Sequence, residues 1–160
     1  MSPLGPRRYL LALQERCRAD TGDASLVLPL VIMTSGDTDA ATVAMLAEHA
    51  DFGAAPGQIT IVKQEKVPAL QDGEARLALK TDKGGSGVSA LELKPHGHGD
   101  VHVLLRSSGL TEKWLAAGKK WVVFFQDTNS LFLNSVLPAL GVSASKVAPS
   151  DTKSKSTNAP

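Results

Sequence analysis

Three observations predict an α/β fold with a mixed, mostly parallel sheet and a small β-hairpin insert. A continuous apolar run, Leu26 to Met33, leads through T-S-G-D-T into a helical stretch and then Q-I-T-I-V at 58 to 62. That strand–helix–strand order is the rhythm of parallel strands joined by a right-handed helical crossover. A second apolar block, K-W-V-V-F-F-Q at 120 to 126, ends on D-T-N and reads as a third strand. Between them, 63 to 93 carries only short apolar runs set off by acidic turns and by G-G-S-G at 84 to 87, the mark of a hairpin excursion.

Taken in order, residues 7 to 19 place Tyr9, Leu10, Leu13 and Cys17 on one stripe at helical spacing. T-G-D at 21 to 23 breaks that helix. Leu26 to Met33 is apolar without alternation, as in a strand buried on both faces. Asp37 or Thr38 then starts a helix running to about Ala50, with Val43, Met45, Leu46 and Ala50 as its packing face. Gly53, Pro56 and Gly57 turn the chain into the second strand. The hairpin arms are expected around Val67–Leu70, Arg76–Leu79 and Val88–Leu93. Val101 to Ala117 is helical with a break near Ser107–Thr111 and a stop at Gly118. A last helix is expected from Ser130 to Leu140, the pattern decays from Gly141, and D-T-K-S-K-S-T-N-A-P at 151 to 160 is too polar to pack on a core.

The bulk numbers exclude several classes. Seventeen basic and sixteen acidic side chains leave a formal charge of +1, which makes no electrostatic case for nucleic acid or an anionic membrane. The longest apolar run is eight residues, against the about 20 a membrane span needs. The N-terminus lacks the apolar core of a secretory signal. One cysteine, Cys17, permits no internal disulfide and suits the cytosol. Cys17 reads as a small packed residue on a helix.

In an open parallel sheet, ligands sit beyond the carboxyl ends of the strands. The first strand delivers Thr34 and Ser35 there, the second Lys63, Gln64, Glu65 and Lys66, the third Asp127, Thr128 and Asn129. The stretch L-K-P-H-G-H-G-D-V-H at 93 to 102 has almost nothing apolar to bury, and its proline and glycines keep it out of a helix interior. Its glycines allow backbone N–H groups to approach a ligand, and Asp100 is placed to cap a helix starting at Val101. Amide and backbone donors suit a nucleobase edge, lysines suit phosphates, and a carboxylate suits Mg²⁺ or a ribose hydroxyl. Zinc on His96, His98 and His102 lacks a second cluster to complete a tetrahedral set. No serine sits in a G-x-S-x-G elbow.

Five blocks occur in a fixed order: I-M-T-S at 32 to 35, K-Q-E-K-V-P at 63 to 68, A-R-L-A-L at 75 to 79, K-P-H-G-H-G-D-V-H at 94 to 102 and W-V-V-F-F-Q-D-T-N at 121 to 129. Together they closely resemble the central part of the UDP-sugar pyrophosphorylases, uridylyltransferases that join UTP and a sugar 1-phosphate into a UDP-sugar and pyrophosphate. The resemblance implies a Rossmann-like nucleotide-diphospho-sugar transferase fold, with 7 to 148 a partial catalytic domain and 149 to 160 a disordered polar tail. It implies that Gln64 hydrogen-bonds the uracil edge, that Gly97 offers its backbone to the same base, and that His98 reaches the sugar phosphate or the adjoining sugar. Asp127 would hold Mg²⁺ and act with Lys63 in catalysis, while Thr34, Lys66 and Asn129 would complete the substrate contacts. UTP and a sugar 1-phosphate are the implied partners, with neither nucleic acid nor membrane. The family's glycine-rich loop, G-G-x-G-x-R-x-G, has no counterpart before Arg7, so the chain reads as the middle of a longer enzyme and is expected to be inactive alone. A uridine-binding module without catalysis is the alternative.

Overall fold

The computed structural model describes residues 4–80, 90–126, 128–129 and 131–146. Contacts divide the chain into two units: Gln14–Gly118, and a second formed by 1–13 with 119–160. Helix α1, Leu4–Thr21, runs from the second unit into the first.

The centre of the first unit is the expected strand–helix–strand. Strand β1, Leu30–Thr34, pairs in parallel with β2, Ile59–Lys63, from Leu30 opposite Ile59 to Thr34 opposite Lys63. Helix α2, Asp39–Glu48, connects them. Strand β1 begins four residues later than its apolar run. Pro29 has no N–H to give a ladder, and the groups of Leu28 go elsewhere: its N–H donates to Gln14 Oε1 at 2.9 Å and its carbonyl accepts from Gln58 Nε2 at 2.9 Å. Most of β1 is half-buried rather than enclosed on both faces, Thr34 alone being buried, because its described sheet has two strands.

Two glutamines are buried beside the starts of the two strands. Gln14, on the Leu10–Cys17 stripe of α1, is 4% exposed, and Gln58, just before β2, is 3% exposed. Gln58 Nε2 donates to Gln14 Oε1 at 2.8 Å, and Gln58 Oε1 accepts the Ala55 N–H at 2.9 Å. The Gln58 amide is satisfied by Gln14 and by the irregular backbone around it, the condition for burying a polar group at low cost, and Gln14 Oε1 accepts two hydrogen bonds.

Helix α2 stops two residues short of Ala50. Ala50, Asp51 and Phe52 all take left-handed φ values of 48°, 49° and 55°, and Gly53 follows at 77°. Each non-glycine residue in that region costs about 1–2 kcal/mol. The buried Phe52 ring, 4.8 Å from His49, and the Phe52 N–H donated to His49 O offset that strain. Leu46 is buried as expected, but Val43 is 48% exposed and Ala50 lies in the turn. Val62 on β2 and Leu105 on α3, Asp100–Ser107, are also buried, and these two elements are in contact.

The excursion is a three-armed β junction. Strand β3, Lys66–Pro68, pairs antiparallel with β6, Leu93–Pro95, and β4, Leu79–Lys80, with β5, Ala90–Leu91. A bridge between Leu70 and Leu77 makes the third arm. At the junction Ala69 donates to Glu92, Glu92 to Ala78 and Ala78 to Ala69. Val88 and the G-G-S-G turn lie outside the described residues. Helix α3 and α4, Leu110–Ala116, are separated at Gly109 (φ 72°), and Gly118 (φ 72°) ends α4. The expected break and stop are both present.

In the second unit, 120–126 is not a strand. Its apolar content suits a ladder, but strand structure needs a hydrogen-bonded neighbour, and no described pairing includes it. Trp121 to Phe125 are 37–47% exposed. With that strand missing, one of the three described two-stranded sheets is parallel, so the described sheet structure is not mostly parallel. Helix α5, Phe132–Lys146, starts later than expected and continues through Pro138 and Gly141. Phe132 stacks on Phe125 at 5.2 Å. The expected tail, 149 to 160, lies outside the described residues. Among the described residues no helix is long and apolar enough to cross a membrane.

Candidate functional site

Parallel pairing of β1 with β2 brings two loops to one rim, because both strands end there. The Gln64 N–H donates to Thr34 O at 2.9 Å, extending the ladder one step past the strands. Thr34 is 3% exposed and its hydroxyl donates to Asp39 Oδ1 at 2.7 Å. Lys63 Nζ lies 3.6 Å from the other oxygen of that carboxylate. Lys66 Nζ donates to Asp37 Oδ1 at 2.7 Å, and its chain crosses Gly36, where a Cβ would stand 2.9 Å from Lys66 Cε. The Lys66 hydrogen bond and then its charge hold the Asp37 carboxyl below the usual carboxylate range.

The rim therefore carries two lysines, each matched to an aspartate at the start of α2. Both pairs are solvent-accessible and stabilise the fold little. Asp37 reads in the sequence as a helix-start residue, and Asp39 was not singled out there. Spacing was the available signal: aspartates two apart after one strand face lysines three apart after its parallel neighbour.

The glycine–histidine turn joins the same rim through β3 and β6, whose pairing sets Lys66 opposite Pro95. His96 N–H donates to Glu65 O at 3.3 Å, and the Gly97 N–H donates to Gln64 Oε1 at 3.1 Å. Gly97 takes φ 140°, open to glycine and strained for any L side chain. A backbone N–H can only donate, so the amide atom facing Gly97 must be the oxygen of Gln64. Nε2, with its two hydrogens, has no hydrogen-bond partner among the described residues. Asp100 does not cap α3 from outside; it is the first helical residue, and its carboxylate meets His96 Nδ1 at 2.5 Å. The turn is thus pinned on several sides and not loose, as its glycines alone suggest.

Thr34, Lys63, Gln64, Lys66, Gly97 and His98 are brought to one rim, His98 being exposed at the tip of the turn. Asn129 belongs to the second unit, where its N–H donates to Gln126 O at 3.0 Å. Asp127 lies outside the described residues. Among the described residues no group of three histidine, cysteine or carboxylate side chains could hold a metal ion.

A family model described as UTP–glucose-1-phosphate uridylyltransferase matches residues 10–132. The chain is 53% identical over 139 residues to a UDP-sugar pyrophosphorylase of Oryza sativa subsp. indica, covering 86% of this chain and 22% of that protein. It is 50% identical over 138 residues to the UDP-sugar pyrophosphorylase of Arabidopsis thaliana, with the same coverages. A crystal structure from Entamoeba histolytica, assigned as a UDP-N-acetylglucosamine pyrophosphorylase, superposes with a TM-score of 0.57 at 23% identity, over 71% of this chain and 27% of that one. That likeness is one of fold. The chain spans about a fifth of the length of the curated relatives it matches.

Proposed function

The chain belongs to the UTP–glucose-1-phosphate uridylyltransferase family, and from that premise we propose that it carries the uridine-binding rim of a UDP-sugar pyrophosphorylase. The reaction would join UTP and a sugar 1-phosphate into a UDP-sugar and pyrophosphate, on a Rossmann-like nucleotidyltransferase fold. The observation that carries this reading is the Gln64–Gly97 hydrogen bond. It occupies Gln64 Oε1 and leaves the Nε2 donor available beside a turn with no side chain at Gly97. Uracil presents a carbonyl to such a donor, whereas cytosine presents an amino group at the same place.

The chemistry asks little beyond alignment. One phosphate oxygen of the sugar 1-phosphate attacks the α-phosphorus of UTP, one P–O bond forms, the bond to pyrophosphate breaks, and no proton need move. The barrier is then the repulsion of two anions and their orientation. Lys63 and Lys66 supply positive charge by exchanging Asp39 and Asp37 for phosphate oxygens. Thr34, buried and bonded to Asp39, positions that carboxylate and sets where Lys63 rests. His98, exposed on the turn, takes the sugar-phosphate side. Asp127 and Asn129 enter on the sequence reading alone, as metal-binding and substrate-binding residues. Mg²⁺ is commonly held by one or two carboxylates together with substrate phosphates, and Asp127 fits that donor set. The ion would supply further charge neutralisation at the phosphates.

The test is calorimetric. UTP and UMP should bind the chain and CTP should bind more weakly, and Gln64→Ala should weaken uridine binding about five- to hundredfold, the loss of one buried hydrogen bond of about 1–3 kcal/mol. Equal binding of UTP and CTP, or of both proteins to UMP, removes the uracil assignment. Pyrophosphate release from UTP with a panel of sugar 1-phosphates then separates catalysis from binding alone.

A further inference from the structure

We propose that His96 and Asp100 form a clasp across the glycine turn, acting as positioning residues that hold the Gly97 amide on Gln64. The turn's own backbone bonds sit at the long end of the useful range: His96 to Glu65 at 3.3 Å, Asp100 to Gly97 at 3.2 Å, Val101 to His98 at 3.3 Å and His102 to Gly99 at 3.2 Å. Two glycines in five residues give this segment more conformational freedom than those contacts restrain. The His96 Nδ1 to Asp100 Oδ1 contact is far shorter, at 2.5 Å, and links the residues on either side of both glycines. With the imidazole protonated the contact is an ion pair, and charge-assisted contacts are about twice as strong as those between neutral groups.

Asp100 is held on its other sides as well. Its side chain is 15% exposed, and it occupies the first turn of α3, where the helix dipole favours a carboxylate. The helix thus anchors one end of the clasp. At the other end Pro95 closes the β3–β6 ladder opposite Lys66, and His96 donates its N–H beside Gln64. Closing the pair fixes the distance from ladder to helix, and the arc between them must take the φ of 140° at Gly97 that aims its N–H at Gln64. The identity of the ligand rests on the uridine reading above; the clasp itself does not.

Three proteins decide the matter: the wild type, His96→Ala and His96→Asn, whose side-chain NH₂ occupies the place of Nδ1–H. The primary readout is amide hydrogen exchange at Gly97 in the ligand-free protein, followed by nuclear magnetic resonance. His96→Ala should speed exchange at Gly97 about tenfold, the equivalent of one hydrogen bond, with amides of β1 and β2 unchanged, and His96→Asn should restore the slow rate. UMP affinity by calorimetry should fall and recover in parallel. Unchanged Gly97 exchange in His96→Ala overturns the clasp, as does failure of His96→Asn to restore it. If exchange follows the pattern while UMP binds none of the three proteins, the clasp stands and the uridine assignment falls. Asp100→Asn, which weakens the same contact from the other side, replaces His96→Ala if that variant does not fold.

Discussion

Replacing Gln58 with alanine should be among the most damaging single changes in the chain, although the residue is polar and precedes a strand. At 3% exposure its amide serves three partners: it accepts from Ala55 N–H at 2.9 Å and donates to Leu28 O at 2.9 Å and Gln14 Oε1 at 2.8 Å. Alanine strands all three. Gln14 Oε1 retains the Leu28 N–H, so its loss is partial. An orphaned buried polar group costs about 1–3 kcal/mol, and water entering the vacated space recovers part of that, which gives an expected loss of about 2–4 kcal/mol. Against a typical domain stability of about 5–15 kcal/mol the shift is large. Urea denaturation of the wild type and variant would measure it as a lower midpoint at unchanged slope. Gln58→Glu should be no better, since a carboxylate then faces two acceptors. Gln14→Ala with Gln58→Ala should cost less than the sum of the two, because they share one bond. A loss below about 0.5 kcal/mol for Gln58→Ala, the range of ordinary surface substitutions, would refute the view that this amide pair secures the starts of β1 and β2.

Gly97→Ala meets no atom within 4 Å, so its cost is backbone strain at φ 140°, about 1–3 kcal/mol. Spectra of the variant should show residue 97 released from the Gln64 side chain, and a retained hydrogen bond with full UMP affinity would contradict this. The Asp37 carboxyl, lowered by Lys66, contributes whatever stability the pair provides above the ordinary carboxylate range and loses it as pH falls through the depressed value. Titration by nuclear magnetic resonance should find Asp37 returned to the usual range in Lys66→Met. Phe52→Ala removes the buried ring that offsets the left-handed turn and should cost about 3 kcal/mol by thermal or urea unfolding. A cost under about 1 kcal/mol would mean that the turn is held by its backbone alone.

The parts of this protein legible in its sequence are those settled within a few residues. The apolar run to Thr34, the T-S-G-D-T helix start and Q-I-T-I-V each follow from local pattern, and Gly109 and Gly118 mark their helix ends because a positive φ is cheap only there. Gln64 and Gly97 were legible as rim residues, since strand ends and glycine turns can be read in one dimension. The Rossmann-like assignment came from block order, which states kinship and not position, and Asp127 and Asn129 were placed at the rim by a third strand that the described residues do not form.

Tertiary structure alone decided the rest, wherever a residue's role depends on a distant partner. Gln14 and Gln58 are polar by type and buried in fact, because each finds the other across 44 positions. Trp121 to Gln126 has the apolar pattern of a strand but, among the described residues, no paired neighbour to make one. Asp37 starts a helix by pattern, but the parallel register of β1 and β2 sets it and Asp39 against Lys66 and Lys63. Hydrogen bonds and charge pairs join atoms close in space, and a linear pattern fixes proximity only over a turn or two of chain.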